Sequence, residues 1–377
     1  FGMGRELMET EVVFNETLHR CDAAFQAISG WSIVDAMFAG DFGDNIAKTE
    51  IAQPANFILQ VALTALWSSW GVKADAVIGH SVGEVSAAYV SGALTLEDAM
   101  KVCYERSRLQ AKTADQGGGM LAVGLPESEV QRLIDDYENI EIAAVNSPNS
   151  VTLSGDRVQL QLLAETLDTT FNRFLAVDIA YHSNNMDMIK DEVLVNLKVL
   201  KPVETSIDLY STVSGERISG LALDADYWWS NVRQTVKFNN GISHLISDGF
   251  DSFLEVGPHP VLAHSIKEIG LEVQANLDQF HTLYRGKEEA KTIYSSLAML
   301  YTKGYSLNWS ELTEGGKLVS VPTYPWQKNR CWKETESSRQ ALFGLHGHIL
   351  LNNKLPAPEP TWTVELNSNL LPFINAH

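Results

Sequence analysis

The sequence predicts an α/β fold in which a large subdomain with a parallel sheet is interrupted by a smaller insertion. Three observations carry the prediction. A short apolar run, Ala76-Val77-Ile78, reaches Gly79-His80-Ser81-Val82-Gly83 and passes at once into a helical pattern with small residues at Ala87 and Ala88, the strand-turn-helix of a G-x-S-x-G elbow. After Gln116-Gly117-Gly118-Gly119 the texture changes to short elements in βαββαβ order, which matches a ferredoxin-like insertion over residues 119–186. Beyond it helix and strand alternate again to about residue 310.

Taken in order, residues 5–40 carry helical periodicity and end at a turn near Gly40 and Gly43. A helix is expected from Gln53 to Trp70, with Pro54 in its first turn and Phe57, Val61, Ala62, Ala65 and Leu66 as an apolar stripe. The strand and elbow follow. Thr95-Leu96-Glu97-Asp98 resembles a capping box opening a helix to about Lys112. The insertion is read as strand Met120–Val123, helix Glu127–Tyr137, strands Ile140–Val145 and Ser150–Ser154, helix Arg157–Leu167 and strand Phe174–Ile179. It ends at Ala180-Tyr181-His182-Ser183.

At 377 residues, with 45% apolar and 20% charged side chains, the chain is long enough for two or three structural units and ordinary for a soluble enzyme. No apolar run approaches a membrane span of roughly 18 residues. A net charge of -19 argues against nonspecific binding to nucleic acid or an anionic membrane, so an anionic substrate must be held by local positive charge. Cys21, Cys103 and Cys331 are odd in number and far apart, which argues against a disulfide framework or a zinc site, and a reducing cytoplasm is expected. The start at Phe1-Gly2-Met3-Gly4, without an initiator methionine, is expected to be a cut from a longer polypeptide.

Ser81 is the candidate nucleophile. The elbow glycines let the backbone turn sharply, and the following helix points free N–H groups to where negative charge would develop on a tetrahedral intermediate. Arg106 falls in the middle of an apolar helix face, in line with Ala99, Cys103 and Gln110 and flanked by Leu96, Met100, Val102 and Leu109. A guanidinium directed inward is costly unless something anionic meets it, either a buried acidic side chain or the free carboxylate of a substrate. His182 is the candidate base, with His80, His259 and His264 as rivals among ten histidines.

Five segments in register, Gly79-His80-Ser81-Val82-Gly83, Arg106-Ser107-Arg108-Leu109, Ala180-Tyr181-His182-Ser183, Asn231-Val232-Arg233 and Glu255-Val256-Gly257-Pro258-His259-Pro260, resemble the acyltransferase domain of modular polyketide synthases and animal-type fatty acid synthases. The resemblance covers roughly residues 1–310. It implies an α/β-hydrolase-like core over 1–118 and 187–310 around the 119–186 insertion. Val321-Pro322-Thr323-Tyr324-Pro325-Trp326-Gln327 and Arg330-Cys331-Trp332 are similar to the linker that follows such a domain and wraps back toward the ketosynthase, placed at 311–335. Residues 336–377, from His346-Gly347-His348 to Asn375-Ala376-His377, are similar to the truncated start of a dehydratase hot-dog domain.

What the resemblance implies is ping-pong acyl transfer. Ser81 attacks an acyl-CoA thioester with His182 as general base, and the phosphopantetheine thiol of an acyl carrier protein then collects the acyl group. The backbone carbonyl of Asn231 is expected to orient His182, and the N–H of Val82 to donate to the oxyanion. No permanent cofactor or metal is expected. The implied partners are the carrier protein and the neighbouring ketosynthase and dehydratase domains of a homodimeric synthase. A Gly-Gln-Gly-x-Gln stretch that supplies the family's second oxyanion donor is absent, so this polypeptide alone is expected to be much less active, by roughly a hundredfold to a thousandfold. Arg106 favours a malonyl-type acyl group. Ile179, Ala180 and Tyr181, with His80 and Val82, are the selectivity positions: an aromatic ring at 181 fills the space of an α-methyl, a misfit of about 1 to 3 kcal/mol. Gln110, Asn146 and Ser183 are open between touching substrate and packing nearby. The alternatives are a G-x-S-x-G serine hydrolase or thioesterase, which needs an acidic partner for its histidine, and a catalytically silent docking platform.

Overall fold

A short parallel strand, β1 (Ala76–Ile78), runs into the elbow, and helices precede and follow it in sequence. The computed structural model describes residues 2–38, 48–167 and 170–313, and beyond them chiefly 319–329 and 353–364 with isolated positions. Two compact units divide at residues 315 and 316.

In the first unit, α1 (Arg5–Thr10), α2 (Val12–Ser29), α3 (Ile33–Phe38) and α4 (Thr49–Ser69) supply much of the largest core cluster. The expected turn at Gly40 and Gly43 lies outside the described residues. Helix α4 begins at Thr49 rather than Gln53, so Pro54 stands inside it and not in its first turn. After the elbow come α5 (Gly83–Val90) and α6 (Leu96–Ala111). Thr95 caps α6 as expected, its hydroxyl accepting from the Asp98 N–H at 3.1 Å.

The next stretch holds β2 (Gly118–Val123), α7 (Glu127–Ile134), β3 (Ile140–Ser147), β4 (Ser150–Asp156), α8 (Arg157–Thr166) and β5 (Asn172–Phe174). The four strands form one antiparallel sheet in the order β3-β4-β2-β5, the order of a ferredoxin-like βαββαβ unit. Leu121, Val123, Ile142 and Leu153 of the strands meet Val130, Ile134, Leu160 and Leu163 of the two helices in a separate buried cluster. Each such side chain contributes about 1.5 to 3 kcal/mol relative to exposure. The last strand is not at 174–179 as its apolar pattern predicts. It pairs with β2 over 172–174, the Leu175 N–H still donating to the Met120 carbonyl at 3.0 Å, and Ala180 then passes close to Gly118, where a Cβ would stand 2.7 Å from the Ala180 nitrogen.

The chain continues through a 3-10 turn (Asn184–Ile189), α9 (Lys190–Leu197), β6 (Asp208–Tyr210), β7 (Arg217–Ile218), α10 (Ala225–Arg233), α11 (Phe238–Ser247), β8 (Ser252–Glu255), α12 (Ala263–Glu272), β9 (Asp278–His281), α13 (Glu289–Thr302) and α14 (Trp309–Leu312). The fold is α/β, but the parallel pairs fall in two hydrogen-bonded sheets, β1-β6-β7 and β8-β9, where one sheet was expected. Among the described residues no strand pairs with both. The insertion is stitched to the rest by backbone bonds between β3 and the residues after α10: the Val145 N–H to the Val236 carbonyl, and the Val236 N–H to the Ala143 carbonyl, each at 2.9 Å.

In the second unit residues 319–329 are exposed and carry no regular structure, with Tyr324 and Trp326 in edge contact at 5.2 Å. Strands β10 (Asn353–Leu355) and β11 (Thr361–Thr363) form an antiparallel pair. Most of the stretch 336–377 lies outside the described residues. Among the described residues no helix is long and apolar enough to cross a membrane.

Candidate active site

The elbow places Ser81 in the left-handed region at φ 55°, a conformation that costs an ordinary residue roughly 1–2 kcal/mol. The two flanking glycines are not equivalent. A Cβ on Gly79 would lie 2.2 Å from the Glu84 nitrogen and from Gly83 backbone atoms, whereas one on Gly83 would meet nothing within 4 Å. Close approach of strand and helix is therefore the task of Gly79. The Val82 N–H precedes α5 and forms no hydrogen bond among the described residues.

His182 also has a positive φ, 58°. Its Nε2 is 2.8 Å from Ser81 Oγ and its Nδ1 is 2.9 Å from the Gln234 carbonyl. A carbonyl at Nδ1 fixes the proton there, leaving the Nε2 lone pair to accept from the serine hydroxyl. Burial, reinforced by Arg106 and His80, holds the imidazole down to about 3, so it is neutral at ordinary pH. The orienting carbonyl belongs to Gln234 and not to Asn231 as expected. Asn231 lies within α10, while Gln234 is the residue just past its end, where carbonyls are free of the helix ladder.

The rival histidines are occupied elsewhere. His80 Nε2 is 2.8 Å from Asn146 Oδ1, and Asn146 Nδ2 donates to Thr152 Oγ1 at 3.0 Å. His259 accepts from the Arg285 N–H and lies edge-on to Tyr284, while exposed His264 faces Glu268 at 3.5 Å. The Glu-Val-Gly-Pro-His-Pro stretch is a turn: the Glu255 carboxylate accepts from the Val261 and Leu262 N–H groups.

Arg106 is buried, 2% exposed. Its Nε donates to Asn231 Oδ1 (3.1 Å), its Nη1 to Gln53 Oε1 (2.6 Å) and Gln110 Oε1 (3.2 Å), and its Nη2 to Ser81 Oγ (2.9 Å). Every acceptor is neutral. Among the described residues no carboxylate reaches it within ion-pair distance. Burial lowers the guanidinium to about 10, which leaves it cationic. Of the two ways to satisfy an inward arginine, a buried acidic side chain is not the one found.

Three supporting residues were not anticipated. Gln53, placed in the sequence only as a helix start, holds Arg106 and donates from Nε2 to Gln110 Oε1 at 2.8 Å. Gln234 orients His182. Glu84, in the first turn of α5, accepts from the Thr212 N–H, from Asn231 Nδ2 at 2.6 Å and from the Tyr227 hydroxyl at 3.1 Å. Asn231 Nδ2 also reaches the Ser81 carbonyl at 3.3 Å. Glu84 thereby turns the Asn231 amide so that Oδ1 faces Arg106. Burial pushes the Glu84 carboxyl up, and its donors oppose the shift. The one signal in the sequence is an acid directly after the elbow's second glycine.

These groups open on a cavity of about 310 Å³, whose walls include Gln53, His80, Ser81, Arg106, Tyr181 and His182. Val82, Met120 and Val177 are also among its walls. The Tyr181 hydroxyl bonds Thr49 Oγ1, which fixes its ring at the wall. Other expected selectivity positions sit further back: Ile179 and Ala180 are buried at 2% and 1% and are not cavity walls, Ile179 packing in the main core. Ser183 is a cap, donating to the Ala180 carbonyl and accepting from the Asn185 N–H. Gln110 and Asn146 pack behind the walls, holding Arg106 and His80. Arg233, one residue before Gln234, forks onto Glu141 of β3 at 2.7 and 3.1 Å and meets Asp187 at 3.0 Å, while Glu141 also accepts from the Asn184 N–H. This tie fixes His182 and its carbonyl relative to the insertion. All three cysteines are free: burial pushes the Cys21 and Cys103 thiols up to about 12, against the pull of nearby Arg106 in the case of Cys103, and Cys331 is exposed.

A serine held by a neutral imidazole, beside a buried cation with no counter-ion, can form a covalent ester with an acyl group that carries a second acid. Residues 1–293 match the family described as the acyl transferase domain. The chain is 37% identical over 335 residues to the polyketide synthase GfsB of Streptomyces halstedii, covering 88% of this chain and 6% of that protein's length. Its structure resembles the acyltransferase domain from module 8 of the salinomycin polyketide synthase, with TM-score 0.79 and 34% identity over 82% of this chain and 74% of that one. It also resembles the malonyl CoA-acyl carrier protein transacylase from Clostridium perfringens, with TM-score 0.71 and 27% identity over 80% and 93%.

Proposed function

This chain belongs to the acyl transferase domain family, and from that membership we propose that it moves a malonyl-type acyl group from CoA to an acyl carrier protein as one domain of a polyketide synthase. Ser81 Oγ attacks the thioester carbonyl while His182 Nε2 takes its proton. The Val82 N–H donates to the oxyanion, the C–S bond breaks, and the CoA thiol leaves with that proton. The carrier's phosphopantetheine thiol then gives its proton to His182, attacks the ester, and Ser81 is regenerated. Arg106 holds the free carboxylate of the acyl group.

The observation that carries this reading is Arg106, buried with neutral acceptors only and 2.9 Å from a Ser81 Oγ that His182 holds at 2.8 Å. The name of the Clostridium perfringens relative, a malonyl CoA-acyl carrier protein transacylase, supports the substrate class. A serine hydrolase with an acid partner for its histidine is less well supported, because His182 Nδ1 faces a backbone carbonyl. Tyr181 at the cavity wall favours malonyl over methylmalonyl. The domains are proposed as a core at 1–118 and 187–310, an insertion at 119–186, a linker at 311–335 and a dehydratase start at 336–377. Ketosynthase and dehydratase domains would be its neighbours in a homodimeric, cytoplasmic synthase, with no resident cofactor. The test is CoA release from malonyl-CoA with and without carrier protein. Transfer requires carrier-dependent turnover that Arg106→Ala abolishes while acetyl-CoA is still accepted; carrier-independent release of malonate, or equal loss on both thioesters, contradicts it.

A further inference from the structure

The Arg106 contact with Ser81 bears on reactivity as well as on binding. Nη2 occupies a lone pair of the same oxygen that His182 holds, so the nucleophile of the substrate-free protein is already engaged by a cation. When His182 takes the serine proton it becomes an imidazolium, and this second positive charge forms beside the first in a buried site where charges are weakly screened. The other charged or polar neighbours of His182 are already matched: Arg233 by Glu141 and Asp187, and His80 by Asn146. Among the described residues Arg106 faces this imidazole with no carboxylate in direct contact, Glu84 acting on it only from behind Asn231. In keeping with that geometry, the Arg106 charge is second only to burial in depressing His182.

An acyl group ending in a carboxylate supplies what is missing. It draws Nη2 off the serine oxygen, and it neutralises the guanidinium at the moment the imidazolium forms. An acyl group ending in a methyl does neither. We propose that the free carboxylate of the acyl group switches on the nucleophile it is about to meet, so that discrimination against monocarboxylic acyl groups lies in the reactivity of Ser81 as well as in affinity. This rests on the reading of Ser81 as nucleophile and Arg106 as carboxylate holder.

The test uses the full chain and diisopropyl fluorophosphate, a neutral reagent that brings no carboxylate. The Oγ–P bond forms as P–F breaks, fluoride leaves, and the serine proton passes to His182. Labelling of Ser81 is followed by intact mass with and without formate, using chloride at equal ionic strength as control. Formate should accelerate labelling saturably, by roughly tenfold, the equivalent of one pKa unit in the base's favour. Arg106→Gln should be labelled faster than wild type without formate and be indifferent to it. Wild-type labelling that is indifferent to formate, including no labelling at all, overturns the switch while carrier-dependent malonyl turnover, measured in parallel, still stands. Loss of that turnover as well overturns the parent reading.

Discussion

The two ends of the cavity are built on opposite principles. Ser81 and His182 sit on strained backbone, both in the left-handed region, and their cost is conformational, roughly 1–2 kcal/mol each. Arg106 sits on an ordinary helix, and its cost is desolvation, met by four neutral oxygens. The strained end holds atoms that must not move during reaction. The desolvated end holds a charge that, among the described residues, no carboxylate contacts directly. On the proposed function, one site is rigid where bonds change and short of a contacting anion where the acyl carboxylate binds.

The largest expected effect breaks the strained end. Gly79→Ala drives a Cβ into the Gly83–Glu84 backbone and should abolish acylation and lower Tm sharply, whereas Gly83→Ala meets open space and should leave both near wild type. Equal damage from both would contradict the division of labour between the glycines. Next, Glu84→Gln attacks the charged end from behind. Glutamine offers one acceptor oxygen to three donors, so Asn231 turns and its bond to Arg106 is lost. The kcat/KM for malonyl-CoA should fall roughly tenfold to a hundredfold, with a smaller change for acetyl-CoA. A parallel fall for both thioesters would mean that Glu84 serves the fold alone.

Tyr181→Ser sharpens the comparison by clearing space at the wall of the cavity that both ends line. It should raise methylmalonyl over malonyl transfer by roughly tenfold to two-hundredfold, measured by competition; an unchanged ratio would move selectivity elsewhere. The mildest expectation is a flat profile. His182 is lowered from 6.5 to about 3 by burial, then by Arg106 and His80, against the pull of the Gln234 carbonyl. The unprotonated base therefore persists as pH falls through 6.5, and kcat/KM, which reports the free enzyme, should stay level from neutrality to about pH 5. An acid limb centred near 6.5 would show an ordinary, solvated histidine.

The same contrast explains what was legible in the sequence. Ser81 announced itself because a strained turn needs Gly79 beside it, and Arg106 because 3.6-residue periodicity put a charge on an apolar face. The βαββαβ order of the insertion was readable from alternating runs, yet its last strand was misplaced because Leu175 and Val177 are apolar as cavity walls, not as sheet residues. Gln53 and Gln234 gave no such sign, and Glu84 only its place directly after Gly83. Their roles come from contacts across 53 residues to Arg106, 147 to Asn231 and 52 to His182, distances at which no local pattern reports. The Asn231 error has the same root: only the observed end of α10 decides which carbonyl is free.

The central claim, that one serine takes an acyl group chosen by a buried unpaired guanidinium, is tested most directly by intact-protein mass spectrometry after mixing the chain with equal malonyl-CoA and acetyl-CoA. A malonyl-sized adduct that predominates in wild type and vanishes in Ser81→Ala is the result predicted. An adduct that survives Ser81→Ala, or an acetyl adduct in excess over malonyl, would contradict it.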